Sequence, residues 1–272
     1  MTIKFKRLKT LILATATATA AASVLPSAFA QGFDAVRLNG AASGKDSGSA
    51  GAAVFSTPAY LGADKRRTLL LPVLDYQWAN GWFAGVSNGI GVNFSDSPQM
   101  QYGLRLTVDA GRKESRANAL RGMGDVAAAA EGGAFFNYAP LQGLVLTSSL
   151  RYGAGAQHKG LLVDLGAGYS SELAKNWRLG GGAGITFANA PYMQSFFGVS
   201  AAQAATSGYA VYTAGSGARD ARAKLALTYS IDQRTSLTTV LSASRLLSEA
   251  KDSPLTRKRT SGSGVVAINY AF

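Results

Sequence analysis

The stretch Gln99-Met100-Gln101-Tyr102-Gly103-Leu104-Arg105-Leu106-Thr107-Val108-Asp109-Ala110 decides the fold. Met100, Tyr102, Leu104, Leu106, Val108 and Ala110 share one parity; Gln99, Gln101, Gly103, Arg105, Thr107 and Asp109 share the other. A strand sends alternate side chains to opposite faces, whereas a helix would scatter both sets around its axis. The stretch therefore reads as a strand with one apolar face and one polar, Gly-containing face.

The same parity recurs along the chain. Val126, Ala128, Ala130, Ala134, Phe136 and Tyr138 oppose Glu131 and Asn137; Leu144, Leu146, Leu150, Tyr152 and Ala154 oppose Thr147, Ser149 and Arg151. Leu161, Val163, Leu165, Ala167 and Tyr169 oppose Asp164 and Ser170; Ala223, Leu225, Leu227, Tyr229 and Ile231 oppose Arg222, Lys224 and Thr228. After Ala30 no apolar run nears the ~18 residues of a spanning helix. Two architectures accommodate such strands, a transmembrane β-barrel and a secreted β-sandwich. Three features favour the barrel. The strands approach the ~9–11 residues that cross a bilayer, aromatics such as Tyr76, Trp78, Phe94, Tyr138 and Trp177 sit near strand ends, and the chain ends on Phe272 in register with Tyr270. The fold class is all-β, an antiparallel up-and-down transmembrane barrel. Candidate strands run from residues 49–56 to 262–272, eleven in all. Bacterial barrels have even numbers, so residues 33–39 are expected to supply a twelfth across the Gly/Ser-rich 40–48; ten is the alternative.

Composition agrees. Of 272 residues 47% are hydrophobic and only 15% charged, with 32 Gly, one His and no Cys. Thiol nucleophiles, disulfides and Cys-ligated metals are excluded. Residues 1–30 read as a cleaved export signal: Lys4, Lys6, Arg7 and Lys9 precede an apolar stretch and the small-x-small Ala28-Phe29-Ala30. Removing those four basic residues, with no acidic ones, lowers the net charge from +12 to +8. The mature barrel then spans 31–272. Short turns at 95–98, 139–142, 172–176 and 232–234 alternate with longer connections at 111–124, 188–220 and 248–260, the asymmetry of periplasmic turns and extracellular loops.

Several motifs make the chain resemble the MipA/OmpV family, named in part for the MltA-interacting protein. They are Pro58-Ala59-Tyr60-Leu61-Gly62-Ala63-Asp64, Leu71-Pro72-Val73-Leu74-Asp75-Tyr76, Arg121-Gly122-Met123-Gly124-Asp125, and Tyr192-Met193-Gln194-Ser195-Phe196-Phe197-Gly198-Val199-Ser200. Ser207-Gly208-Tyr209 and Asp252-Ser253-Pro254-Leu255 complete the set. The resemblance implies an outer-membrane barrel of Gram-negative bacteria. It also implies a scaffold role linking a lytic transglycosylase to a peptidoglycan synthase, with no catalytic residues to carry over.

Two groups of residues stand out as candidate sites. Arg105, Glu131 and Arg151 lie at similar depth on the polar faces of successive strands. Unpaired charge away from water is costly, so a lumen ladder is expected with Glu131 between the two arginines. The long segment 188–220 is too large for a hairpin. It is expected to fold over or into the barrel mouth as a recognition element, with Tyr192, Phe196, Phe197, Gly198, Ser200, Gln203 and Tyr209 as its candidate residues.

Other features read as structural. His158, beside Lys159-Gly160, would need an oriented partner, Asp164 or a serine, to serve a hydrolase; an exposed turn histidine is the simpler reading. The Gly180–Gly184 run lacks the Lys-Ser/Thr and helix of a phosphate loop. Lys65-Arg66-Arg67 and Arg257-Lys258-Arg259 are placed to meet lipid or lipopolysaccharide phosphates. Scattered basic residues in an exported chain argue against nucleic acid. The expected protein is a monomeric, non-enzymatic scaffold without metal or cofactor; a narrow channel or transport pore is the alternative.

Overall fold

The computed structural model of the chain describes residues 45–153 and 160–272. Twelve strands follow in order: β1 (Ser47–Pro58), β2 (Arg66–Gln77), β3 (Trp82–Gly85), β4 (Gly89–Asn93), β5 (Met100–Asp109) and β6 (Ala129–Leu141). Then come β7 (Leu144–Gly153), β8 (Leu161–Ala174), β9 (Trp177–Ala188), β10 (Gly217–Ser230), β11 (Thr235–Leu246) and β12 (Thr260–Ala271). Each pairs antiparallel with its successor, and β1 pairs with β12 from Ser49↔Ala271 to Ser56↔Gly264, closing the barrel. Closure leaves no free edge around most of the circumference, the condition for strands to span lipid.

Twelve strands are reached without residues 33–39, which lie outside the described residues, as do the export signal and His158. The barrel closes on β1 itself, and two of the twelve, β3 and β4, are short.

Parity sets the two faces. Along β5, Met100, Tyr102, Leu104, Leu106 and Val108 are exposed outward while Gly103, Arg105 and Asp109 are buried. Glycine on the inner face makes room for large neighbours. A Cβ on Gly103 would lie 1.8 Å from the Val92 carbonyl oxygen and 3.0 Å from the Phe135 ring; Phe135 and Phe83 pack edge to face inside the wall.

The short connections lie at one end, where local chemistry turns the chain. Gly143 between β6 and β7 has φ +84°, and Asn176 between β8 and β9 has φ 67°. Asp232 Oδ1 accepts from the backbone N–H groups of Arg234 and Thr235, both at 2.7 Å, an Asx-type turn. This rim carries paired aromatics: Tyr76 with Trp78, Phe94 with Tyr102, and Trp177 with Tyr229. Rings with an apolar body and polar tip suit a membrane interface.

One parity assignment is corrected. Val126 shares parity with outward-facing Ala134 and Phe136, yet it precedes β6, bridges to Arg112 and is buried in the mouth. A strand's alternation holds only within its continuous ladder.

Candidate functional site

At the long-loop end the segment between β9 and β10 folds into two helices, α1 (Ala190–Phe197) and α2 (Ala201–Ser207). Asn189 caps α1 by accepting from Tyr192 N, and Pro191 occupies its first turn, where a missing N–H costs nothing. Ser200 and Gln203 form a capping box on α2, which ends at left-handed Gly208. A third short helix, α3 (Ser248–Asp252), lies in the connection from β11 to β12.

Tyr192, Met193, Phe196 and Phe197 of α1 are buried together with Val126, Leu162, Ala214, Leu246 and Ala250. A neighbouring cluster joins Met123, Val199 and Leu255. These apolar groups come from three different connections and from the ends of β8 and β11, so the plug is held by burial drawn from all of them; each fully buried aromatic contributes about 1.5–3 kcal/mol. Polar ties complete it. Arg112 Nη1 donates to the Phe196 carbonyl at 2.7 Å, and burial pushes its guanidinium down to about 10. Ser253 Oγ donates to the Phe197 carbonyl at 2.6 Å, and Gln203 Nε2 to the Met123 carbonyl at 2.7 Å. Tyr209 donates to the Ala119 carbonyl and accepts from Arg257.

Of the seven residues singled out in this segment, Tyr192, Phe196 and Phe197 point into the plug, and Gly198 is packed so that a Cβ would meet the Gln194 carbonyl oxygen at 2.6 Å. Ser200 is exposed, and Gln203 and Tyr209 are half-buried.

Below the plug lies a charged network. Arg151 Nη1 sits 2.7 Å from Glu131 Oε2, and its Nη2 sits 3.1 Å from Asp164 Oδ2. Arg222 reaches Asp164 Oδ1 at 2.9 Å, and its Nε lies 2.9 Å from Asp220 Oδ1, off the hydrogen-bond axis. Thr186 donates to Asp164 Oδ1 at 2.5 Å and accepts from Arg222. Arg219 Nε lies 2.5 Å from Asp220 Oδ2, and its Nη1 donates to Tyr192 Oη at 2.9 Å. All of these groups are buried. Of the sequence-derived ladder, Glu131 and Arg151 are in contact, while Arg105 donates from Nη2 to Ser149 Oγ at 2.8 Å and Thr107 Oγ1 donates to Glu131.

Sequence parity missed how Arg219 and Asp220 enter this network. The register of β10 on β9 shifts between Ala218 and Asp220, leaving Arg219 as a bulge. A bulge re-aims side chains, so these consecutive residues both lie within the barrel. The visible signal was the charged run Arg219-Asp220-Ala221-Arg222 at the opening of a strand. Asp164, the partner considered for His158, is occupied by two arginines and a threonine. Gly180–Gly184 lies within β9, paired on both sides. Among the described residues no group of three or more His, Cys, Asp or Glu could hold a metal ion.

The model of a protein family described as MltA-interacting protein MipA matches residues 50–272. The chain belongs to the MipA family. The match covers every strand except the first residues of β1, along with the plug. Together with the lipid-facing alternation and aromatic rim, membership places the chain in the Gram-negative outer membrane. No curated protein matches the sequence.

Among solved structures, an outer membrane channel from Pseudomonas putida F1 is similar at 11% identity and TM-score 0.44, over 89% of this chain and 98% of that one. The NanC porin is similar at 9% identity and TM-score 0.44, over 80% and 98%. The channel DcaP of Acinetobacter baumannii is similar at 9% identity and TM-score 0.40, over 84% and 96%. Likeness at this level carries nothing about what MipA-family members do.

Proposed function

We propose that this protein is a non-enzymatic scaffold of the cell envelope that docks a lytic transglycosylase and, through it, a peptidoglycan synthase. The observation that supports the reading is the charge-paired network inside the barrel. Its charges pair with one another from Glu131 to Asp220, and Arg219 ties them to the plug at Tyr192. Side chains paired in this way serve rigidity rather than solute passage. The family's description as MltA-interacting supplies the partner class.

Peptidoglycan lies beneath the outer membrane, so docking falls on the short-turn face. There Asp46 accepts from Tyr76 Oη and Ala79 N, and Phe272 lies against Tyr76, which joins both ends of the barrel wall into one surface. The segment 189–216, on the opposite rim, is then a recognition element for extracellular ligands, with Ser200, Gln203 and Tyr209 nearest solvent. Residues 1–30 act as the cleaved export signal, and the barrel works as a monomer.

Affinity capture from crosslinked membranes tests the scaffold. Recovery of peptidoglycan enzymes, lost when Asp232 and Arg234 in the short turn are replaced, is the expected result. Planar-bilayer recording tests the alternative pore: no stepwise current is expected, and discrete conductance steps from the purified protein would favour a narrow channel.

A further inference from the structure

The barrel wall is not of even height. β2 pairs with β1 along its whole length, from Arg66 to Gln77, but with β3 only over Asp75–Gln77. On the other side of the short β3–β4 hairpin, β5 pairs with β4 only as far as Leu106. Above the hairpin turn at residues 86–88, the upper half of β2 and the top of β5 thus face each other without a strand between them. A roof bounds the gap from above: Tyr60 and Ala63 from the β1–β2 connection pack on Leu120 from the β5–β6 connection.

The edge of β2 is adapted to being open. Leu74 O accepts from Val86 N at 2.9 Å, so its peptide groups point away from β1, and by alternation those of Pro72 and Leu70 do too. Pro72 has no N–H to leave unpaired on that edge. The gap opens at the height of the apolar band, because residues facing lipid flank it on both sides: Leu70 is 71% exposed on β2 and Leu106 is 61% exposed on β5. It therefore faces lipid rather than water.

Behind the gap the inner wall departs from the polar lumen expected of a barrel. Leu69, Leu71 and Val73 on β2 pack with Ala53 and Phe55 of β1 and Val265 of β12, a continuous apolar surface. Arg67 stands at its upper end on the same inward parity, and its guanidinium has no ion-pair or hydrogen-bond partner among the described residues. Arg116, in the loop above, lies close enough for the Arg67 charge to add to burial in lowering its own guanidinium. An apolar track reached from lipid and ending at the Arg67 guanidinium is complementary to one kind of guest.

We propose that the gap between β2 and β5 is a lateral window that admits a single-chain amphiphile with an anionic head from the outer leaflet, its tail along Leu69, Leu71 and Val73 and its head at Arg67.

The full mature protein in phosphatidylcholine nanodiscs, irradiated with a diazirine-bearing palmitate and mapped by mass spectrometry, tests this. Label on Leu69, Leu71 or Val73 is expected, falling about tenfold in Arg67→Gln while heat-modifiable gel migration shows the barrel intact. Val73→Trp, which fills the track and spares Arg67, should remove the same label. Unlabelled palmitate should compete, and hexadecyltrimethylammonium or inorganic phosphate should not. Label confined to lipid-facing Leu225 and Leu241, equal competition by the cationic amphiphile, or displacement by phosphate alone would overturn the proposal. So would lumen label that appears only after residues 31–44 are deleted, since that segment would then be the occupant.

Discussion

Arg219 Nη1 donates to Tyr192 Oη at 2.9 Å, with the guanidinium 5.4 Å from the centre of the same ring. This contact joins the wall to the plug, because Arg219 sits on the β10 bulge and Tyr192 in the first turn of α1. Burial raises the Tyr192 hydroxyl well above the usual tyrosine range, which keeps it neutral as acceptor. Tyr192→Phe leaves the buried guanidinium one acceptor short, at a cost of about 1–3 kcal/mol. Amide exchange should accelerate across residues 190–197 and stay unchanged in β11 and β12. Equal acceleration in the strands would show that the plug and wall open as one unit.

Arg151 is the hinge of the lumen network, since its two Nη atoms bridge Glu131 and Asp164. Arg151→Met leaves two buried carboxylates facing each other and should destabilise the barrel by about 3–5 kcal/mol. The triple change Glu131→Gln, Arg151→Met, Asp164→Asn should recover much of that loss. Urea unfolding in vesicles reads both, and a triple variant worse than the single one would refute the pairing logic.

The lipid face can be probed at Leu225, which is exposed outward at the middle of β10. Leu225→Arg should cost about 2–4 kcal/mol in a bilayer, the midplane value for barrels. The same change should be nearly silent in the turn at Gln233. Folding yield into vesicles separates the two.

Acid should open the β5–β6 connection before the barrel. The hydrogen bond from Lys113 and that from the Glu114 backbone hold the Asp125 carboxyl below its ordinary range. A depressed carboxyl contributes stability above its unfolded pKa, ~3.9, which is lost as pH falls through the lower folded value. Exchange at Glu114 N–H should therefore rise below about pH 4. In Lys113→Met the onset should move to higher pH.

Alkali acts on the other side of the same roof. Tyr60 donates to the Leu255 carbonyl at 2.8 Å, and burial raises its hydroxyl to about 12. A raised acid contributes stability that is complete below the unfolded value of ~10 and lost as pH climbs through the folded one. The difference absorbance at 295 nm between wild type and Tyr60→Phe should titrate near 12; titration near 10 would place Tyr60 in water.

How much of this was legible in the sequence differs by feature. The outward row Met100, Tyr102, Leu104, Leu106 could be read directly, because parity within one strand is local. Glu131 and Arg151 could be brought together because β6 and β7 are joined by a short turn that fixes their register. Asp164 with Arg222 and Asp220 could not, since β8 and β10 meet only through β9 and through a bulge that breaks parity at Arg219. Phe196 and Phe197 were legible as a motif but not as buried ones: their exposure depends on Leu162, Leu246 and Ala250, which arrive from elsewhere in the chain.

By itself the sequence determined that the chain forms long amphipathic strands, which residues meet lipid, and hence the membrane it inhabits, because these follow from side-chain alternation and the bilayer's thickness. Tertiary structure alone decided that β1 closes on β12, that the charges form one network, that the helices plug the mouth, and that β3 and β4 stop short beside β2. Each of these depends on registers between residues far apart in the chain, which no local period encodes.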